Sequence, residues 1–270
     1  MLKLAMTPRV VSKWWLLVLV FTPLMCLAQP KSELASPPPL SPAEGERAAR
    51  TLISNLLAQK PEQNATNTGV LKIRDSDHHE HSVPVEFELL AFPDYWMNTY
   101  AAEPAGDQPG EKFAISHAEP HMSEYTLSPI GAGDTSSSGT RKVSGNELMR
   151  PFAGSDFWLT DLGLDFLHWP QQRVLKKQMR RNLFCDVLQS TNPNPVPSAY
   201  SRVVSWIAVN RPDEIVVVHA EAYDSQDKLL KEFDPKKVQK VNGVWQLEQM
   251  EIRNRQTGSR SRIEFNLPHE

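Results

Sequence analysis

Between residues 173 and 267 the apolar residues recur with a period of two, in one short segment after another. That pattern restricts the chain to a sheet. The segments are 173–180, 182–189, 201–209, 215–223, 229–234, 238–241, 244–253 and 261–267. Between them lie turn formers: Asn192-Pro193-Asn194-Pro195, Asn210-Arg211-Pro212-Asp213, Asp224-Ser225-Gln226-Asp227, Asn242-Gly243 and Gln256-Thr257-Gly258. Connections this short join antiparallel neighbours, and Asn-Gly between apolar flanks is the strongest hairpin signal. In 203–209, Val204, Trp206 and Ala208 share one face while Val203, Ile207 and Val209 share the other. A sheet wetted on one side alternates apolar with polar, so a strand dry on both sides needs two covers. One is helical; the other is helices, a second layer or a bound ligand. The last strand differs, because Arg260, Arg262, Glu264 and Asn266 alternate with Ile263, Phe265 and Leu267 and keep one face wet.

The first half reads similarly. Strands are expected over 70–74, 83–91 and 95–100, and a hairpin over 112–117 and 123–127. The Gly- and Ser-rich stretch 129–146 reads as a long mobile loop. Ahead of the strands, Ser41-Pro42-Ala43-Glu44 is a helix start: serine caps, proline takes the first position and Glu44 closes a capping box. Ala48, Leu52, Ile53, Leu56 and Leu57 then share one face, and Lys60-Pro61 ends a helix of about five turns. Residues 29–40 form a Pro/Ser linker with nothing to pack, expected to be disordered. A short helix is expected before Pro170, with Thr160 a candidate cap and Asp156 assigned to capping near Trp158.

Residues 1–28 read as a signal peptide. Lys3, Arg9 and Lys13 precede an apolar run over 14–28 that is too short to span a bilayer, and Cys26-Leu27-Ala28 precedes Gln29-Pro30 as a small-residue exit. Met25, where lipidation of Cys26 requires a small residue, argues against a lipoprotein. Removal leaves Cys185 as the sole cysteine, so no internal disulfide holds the chain, and its apolar surroundings mark a buried inert thiol. The whole chain carries a formal charge of −3, made more negative by loss of the three cations. Without a basic stripe, nucleic-acid binding is not expected.

Few residues suggest chemistry. Asp75-Ser76-Asp77-His78-His79-Glu80-His81 has metal-ligating types, and His79 and His81 share one side of an extended strand. The run nevertheless sits between strands, where polar residues belong, and lacks the helical spacing of a metalloprotease. No metal site is assigned, and no cofactor motif is present. Gly154-Ser155-Asp156 is not Gly-x-Ser-x-Gly and has no histidine assigned to it, so no enzyme is expected. His168 and His219 read as satisfied core histidines. The cations of 173–181 read as a solvated edge strand, or as a contact for anionic head groups.

The stretch Phe152-Ala153-Gly154-Ser155-Asp156-Phe157-Trp158-Leu159-Thr160-Asp161-Leu162 resembles the Gly-Ser-Asp-Phe signature of the outer-membrane lipoprotein-sorting (LolA-like) family of periplasmic proteins. The order and spacing of Tyr200-Ser201-Arg202-Val203-Val204-Ser205-Trp206, Ala222-Tyr223-Asp224, Val244-Trp245 and Met250-Glu251-Ile252 are similar too. The likeness runs over roughly 66–267 and is densest from 150 onward. It implies an α+β fold over 41–270: a curved antiparallel sheet making an incomplete half β-barrel of about eleven strands, covered by a few helices. It also implies a periplasmic carrier of lipid or lipoprotein acyl chains, or a non-enzymatic module for an envelope protein partner. Phe87, Leu89, Trp96, Phe157, Trp206, Val217 and Trp245 are the candidates to line the groove, although alternation alone does not choose the concave face. Gly154, Ser155, Asp156 and Phe157 carry the signature.

Overall fold

Two strands that follow one another along the chain form the opposite edges of a single sheet, and that decides the architecture. The computed structural model describes residues 38–106, 108–118, 123–131, 139–211, 214–241 and 244–268, with backbone alone for Val244 and Trp245. The proposed signal peptide and residues 29–37 lie outside them. Thirteen strands are present among the described residues: β1 Ala65–Arg74, β2 Glu80–Ala91, β3 Trp96–Ala102, β4 Gly110–His117, β5 Glu124–Ile130, β6 Arg141–Val143, β7 Gln171–Arg180, β8 Leu183–Thr191, β9 Arg202–Arg211, β10 Glu214–Tyr223, β11 Leu229–Val241, β12 Val244–Asn254 and β13 Arg260–Phe265. Their order across the sheet is β6-β5-β4-β3-β2-β1-β13-β12-β11-β10-β9-β8-β7. Two antiparallel meanders therefore meet where β1 pairs with β13, Leu71 opposite Ile263. The sheet is curved and unclosed.

Thirteen strands stand among the described residues where the resemblance implied about eleven, and two elements depart locally from the sequence reading: a fusion, which lowers the count, and an added strand, which raises it. Segments 229–234 and 238–241 fuse into β11 through Pro235, where the register with β12 shifts between Pro235 and Lys237. A bulge accommodates a residue that cannot donate to the ladder. Part of the expected mobile loop is also ordered. β6 pairs with β5, Tyr125 opposite Val143, and Gly145–Leu148 forms a 3-10 turn; residues 132–138 fall outside the described set.

Helix α1, Pro42–Leu57, starts as its sequence dictates: the Glu44 carboxylate accepts from the Ser41 N–H at 3.2 Å and from its hydroxyl at 2.5 Å. It buries Ala49 and Leu52 and lies against edge strand β7. The approach is close enough that a Cβ on Gly45 would stand 2.4 Å from the Val174 carbonyl oxygen. Just before the helix, the Leu40 N–H donates to the Leu175 carbonyl at 2.9 Å, so the expected linker ends in a fixed contact. No helix among the described residues is long and apolar enough to cross a membrane.

One large apolar core lies on the helix-bearing face and includes Leu71, Val85, Phe113, Ile207, Phe233, Ile252 and Ile263. The opposite, outer face carries a second cluster over β8–β10: Cys185, Val187, Val204, Trp206, Ala208 and Val218. Long side chains cover it where a second layer was one of the expected alternatives. The Arg180 guanidinium lies 4.6 Å from the Trp206 ring centre, and the Trp206 indole N–H donates to Gln178 Oε1 at 3.2 Å. The aliphatic stems of such residues shield apolar surface while their heads stay in water.

Candidate functional site

Because β6 and β7 are opposite edges, the connection 144–170 has to traverse the sheet, and it does so on the helix-bearing face. A flat sheet of this width would span about 58 Å at about 4.8 Å per strand, and curvature shortens the path that the connection has to cover. The connection fills the space beneath it. Leu148, Phe152, Phe157, Leu159, Phe166 and Leu167 are all 2% exposed or less.

The Gly-Ser-Asp-Phe signature is the tight corner of this plug. Ala153 and Gly154 both take left-handed backbone angles (φ 47° and 69°), which glycine tolerates without cost and alanine does not. The Phe152 N–H donates to the Phe157 carbonyl at 2.7 Å, and the Phe157 N–H donates to Ser155 Oγ at 3.1 Å. The corner thereby drives Phe157 into the core. Asp156 does not cap a helix, contrary to expectation. Its carboxylate accepts from the hydroxyls of Ser259 (2.6 Å) and Ser261 (2.8 Å), tying the plug to the start of β13. The capping role at α2, Leu159–Gly163, falls to Asp161, which accepts from the Trp158 N–H at 2.8 Å. Thr160 is no cap either: its hydroxyl is buried without a partner among the described residues.

Asp161 also anchors a buried polar cluster that sequence reasoning missed. It accepts from the Tyr200 hydroxyl at 3.0 Å and lies 4.0 Å from the Lys231 ammonium of β11. Lys231 donates to the Asp156 carbonyl at 2.6 Å and stands 3.6 Å from the centre of the Trp158 ring. Burial pushes its pKa down to about 8, with Asp161 and Asp156 opposing the shift. Burial likewise pushes Asp161 up, against the pull of Lys231. The plug is thus fastened to the sheet by polar contacts as well as by packing. The void beneath, bounded by Asp161, Tyr200, Lys231 and Phe233, is about 10 Å³. That is the lower limit for a single water.

Four of the seven groove candidates share the helix-bearing face with some exposure. Phe87 is half-buried between Tyr100 (5.1 Å between ring centres) and Phe265 (5.7 Å). Leu89 follows it two residues along the same strand face, and Val217 packs at the margin of the core. Trp96 stacks on His117 at 3.7 Å at the far end of β3. Phe157 is entirely enclosed. Trp206 belongs to the outer-face cluster and does not join them. The Trp245 side chain lies outside the described residues.

The polar candidates resolve differently. His219 is satisfied, with Nδ1 2.7 Å from Asp234 and Nε2 3.3 Å from Glu221. His79 turns to Asp75 at 3.3 Å, at an exposed turn. His168 meets Ser123 Oγ at 3.3 Å, and Ser123 also contacts His117 Nδ1 at 2.9 Å while His117 Nε2 meets Asn98 at 2.7 Å. Serine, histidine and an orienting amide have the outline of a nucleophile with its base. Burial, with His168 nearby, lowers the His117 pKa to about 4, which makes it a weak base.

A family model described only as an uncharacterized protein matches residues 135–268. No curated protein matches the chain. Among the solved structures similar to it are these three. A DUF1329 family protein from Desulfovibrio piger is 17% identical, with TM-score 0.63, covering 83% of this chain and 91% of its own. A domain from Vibrio parahaemolyticus described as an outer membrane lipoprotein-sorting protein is 16% identical, with TM-score 0.65 and coverages of 82% and 91%. A LolA superfamily protein from Nitrosomonas europaea is 15% identical, with TM-score 0.54 and coverages of 82% and 94%. At such identities the likeness shows the fold, which is the one the motifs of the second half pointed to.

Proposed function

We propose that this LolA-fold chain is a non-catalytic binding protein of the periplasm, exported by its first 28 residues, that shelters lipid or lipoprotein acyl chains against the helix-bearing face of its sheet. One observation carries the reading. Half-buried apolar side chains, Ile53 and Leu56 of α1, Val217, Leu247 and Phe87, pack against the core and keep part of their surface exposed at its margin. Hydrocarbon gains about 0.8 kcal/mol per CH₂ on leaving water, so a carrier needs dry surface and no reactive group. The void of about 10 Å³ is too small for an acyl chain. Cargo therefore seats along the margin, or enters as the plug shifts on its polar fastenings. The Vibrio parahaemolyticus neighbour, described as a lipoprotein-sorting domain, supports the same assignment by analogy of fold.

Native mass spectrometry of the full chain recovered from a Gram-negative periplasm tests this directly. Bound acyl species, and displacement of a fluorescent fatty acid, are expected. A lipid-free protein that takes up no fatty acid overturns the carrier reading. The filled interior favours one second reading, in which the same face docks an envelope protein; that outcome shows as a stoichiometric protein partner with no lipid.

A further inference from the structure

Strand register places three arginines side by side on the outer face. Arg74 of β1 is directly opposite Arg260 of β13, and Arg260 is directly opposite Arg253 of β12. Their flanking residues Ile73, Ser261 and Ile252 point into the core, which sets all three guanidiniums on the same side. Neighbouring strands lie about 4.8 Å apart, and like charges directly opposite destabilise a sheet.

Among the described residues a single carboxylate contacts this row, and it is shared. Glu251, 1% exposed, binds Arg253 at 2.8 Å and lies 3.9 Å from Arg260, but it also serves Arg262 (2.8 Å) and Lys236 (3.5 Å). Glu232 is taken by Arg255 at 2.5 Å. Asp75 accepts from the Asp77 and His79 amides. Glu80 faces Arg74 across the β1–β2 pair without an ion pair, and Arg74 has no salt-bridge partner among the described residues. Between the β1–β2 and β12–β13 turns lies a cavity of about 270 Å³, half open to solvent and lined by Arg74, Arg253, Arg255, Arg260, His78 and Ser259.

We propose that this cavity is a binding site for a phosphate ester, held by the Arg74–Arg260–Arg253 row. Guanidinium forks match tetrahedral phosphate oxygens bidentately, and a phosphate anion adds negative charge beside the one carboxylate that the row shares. At about 30 Å³ per water, the space admits a phosphate together with the group it esterifies. A phospholipid head group and a soluble phosphate ester share this chemistry.

Calorimetric titration of the whole chain with glycerol 3-phosphate, beside co-sedimentation with phosphatidylglycerol or phosphatidylcholine vesicles, tests the site. Saturable binding is expected, weakened at least tenfold by Arg74→Ala and by Arg260→Ala. Without ligand, Arg74→Ala should melt no lower than the parent chain, because it relieves repulsion; lost binding then cannot be read as lost folding. Sedimentation with phosphatidylglycerol alone, reversed by glycerol 3-phosphate, identifies a lipid head group; binding confined to the soluble ester identifies a free metabolite. No binding to ester or vesicles at low salt, or binding that both variants leave unchanged, overturns the proposal.

Discussion

The Lys231 ammonium stands 3.6 Å from the centre of the Trp158 ring, so a strand of the sheet and the plug that crosses it are joined by a buried cation. Lys231 is 3% exposed and Asp161 is 5% exposed. Removing one member of a buried pair leaves the other uncompensated, which costs far more than the pair is worth. Lys231→Met is expected to lower unfolding free energy by about 3 kcal/mol. Lys231→Met with Asp161→Asn should recover most of that. Urea unfolding of Lys231→Met, Asp161→Asn and the double variant measures this; a double-variant loss equal to the sum of the two single losses would show that the ions are not coupled.

Two buried titrating groups give opposite pH dependences. The folded pKa of Lys231 is lowered from 10.5 to about 8. Between those values the unfolded chain holds a proton that the folded chain has released, so stability rises with pH there. His219 behaves the other way: burial lowers its pKa, but hydrogen bonds to Asp234 and Glu221 outweigh burial and hold it above 6.5. Its contribution is complete below 6.5 and is lost as pH rises through the folded value. Unfolding free energy across pH 6 to 10.5 should therefore lose its early decline in His219→Gln and its later rise in Lys231→Met.

The elements legible in the sequence are those set by local chemistry. The Ser41-Pro42-Glu44 start placed α1 within a residue, and turn formers delimited β8 to β10. Three things were hidden because they depend on what is distant in sequence. Pro235 looks like a strand break, and only pairing with β12 carries β11 through it. Trp206 sits in a strand apolar on both sides, so alternation could not show that its face is the outer one. Lys231, in Lys228-Leu229-Leu230-Lys231, has the surroundings of any surface lysine; its burial follows from the plug, whose path is fixed by the edge positions of β6 and β7. A signal was available for the plug, since Phe152, Phe157, Leu159, Leu162 and Phe166 put apolar residues into a segment with no strand period.

Gly45 marks where α1 touches the sheet edge. A Cβ there would meet the Val174 carbonyl oxygen at 2.4 Å, and backbone cannot move aside as a flexible side chain can. Although alanine is the better helix former, Gly45→Ala is expected to destabilise by about 1–3 kcal/mol through overpacking. Hydrogen exchange should accelerate across α1 and at the Leu40–Leu175 hydrogen bond while β11 to β13 stay protected. A gain in stability would mean that the helix stands farther from β7.

Phe87 and Trp206 separate hydrocarbon binding from mere stability. Phe87 is half-buried at the margin of the helix-bearing face, in contact with Tyr100 and Phe265, and through Tyr100 it reaches Phe152 of the plug (6.5 Å between ring centres). Trp206, 7% exposed, lies on the opposite side of the sheet. Trp206→Ala should cost about 3–5 kcal/mol of stability, the usual toll for emptying a buried aromatic site. Well below its melting temperature, however, it should leave fatty-acid affinity unchanged, because a sheet separates it from the margin. Phe87→Ala, with less burial to lose, should cost about 1–2 kcal/mol in stability yet weaken a fluorescent fatty acid about tenfold, or about 1.4 kcal/mol. Paired fluorescence titrations and thermal melts decide it. Affinity that falls with Trp206 and not with Phe87 would move hydrocarbon to the outer face, onto the cluster that Arg180 and Gln178 now cover.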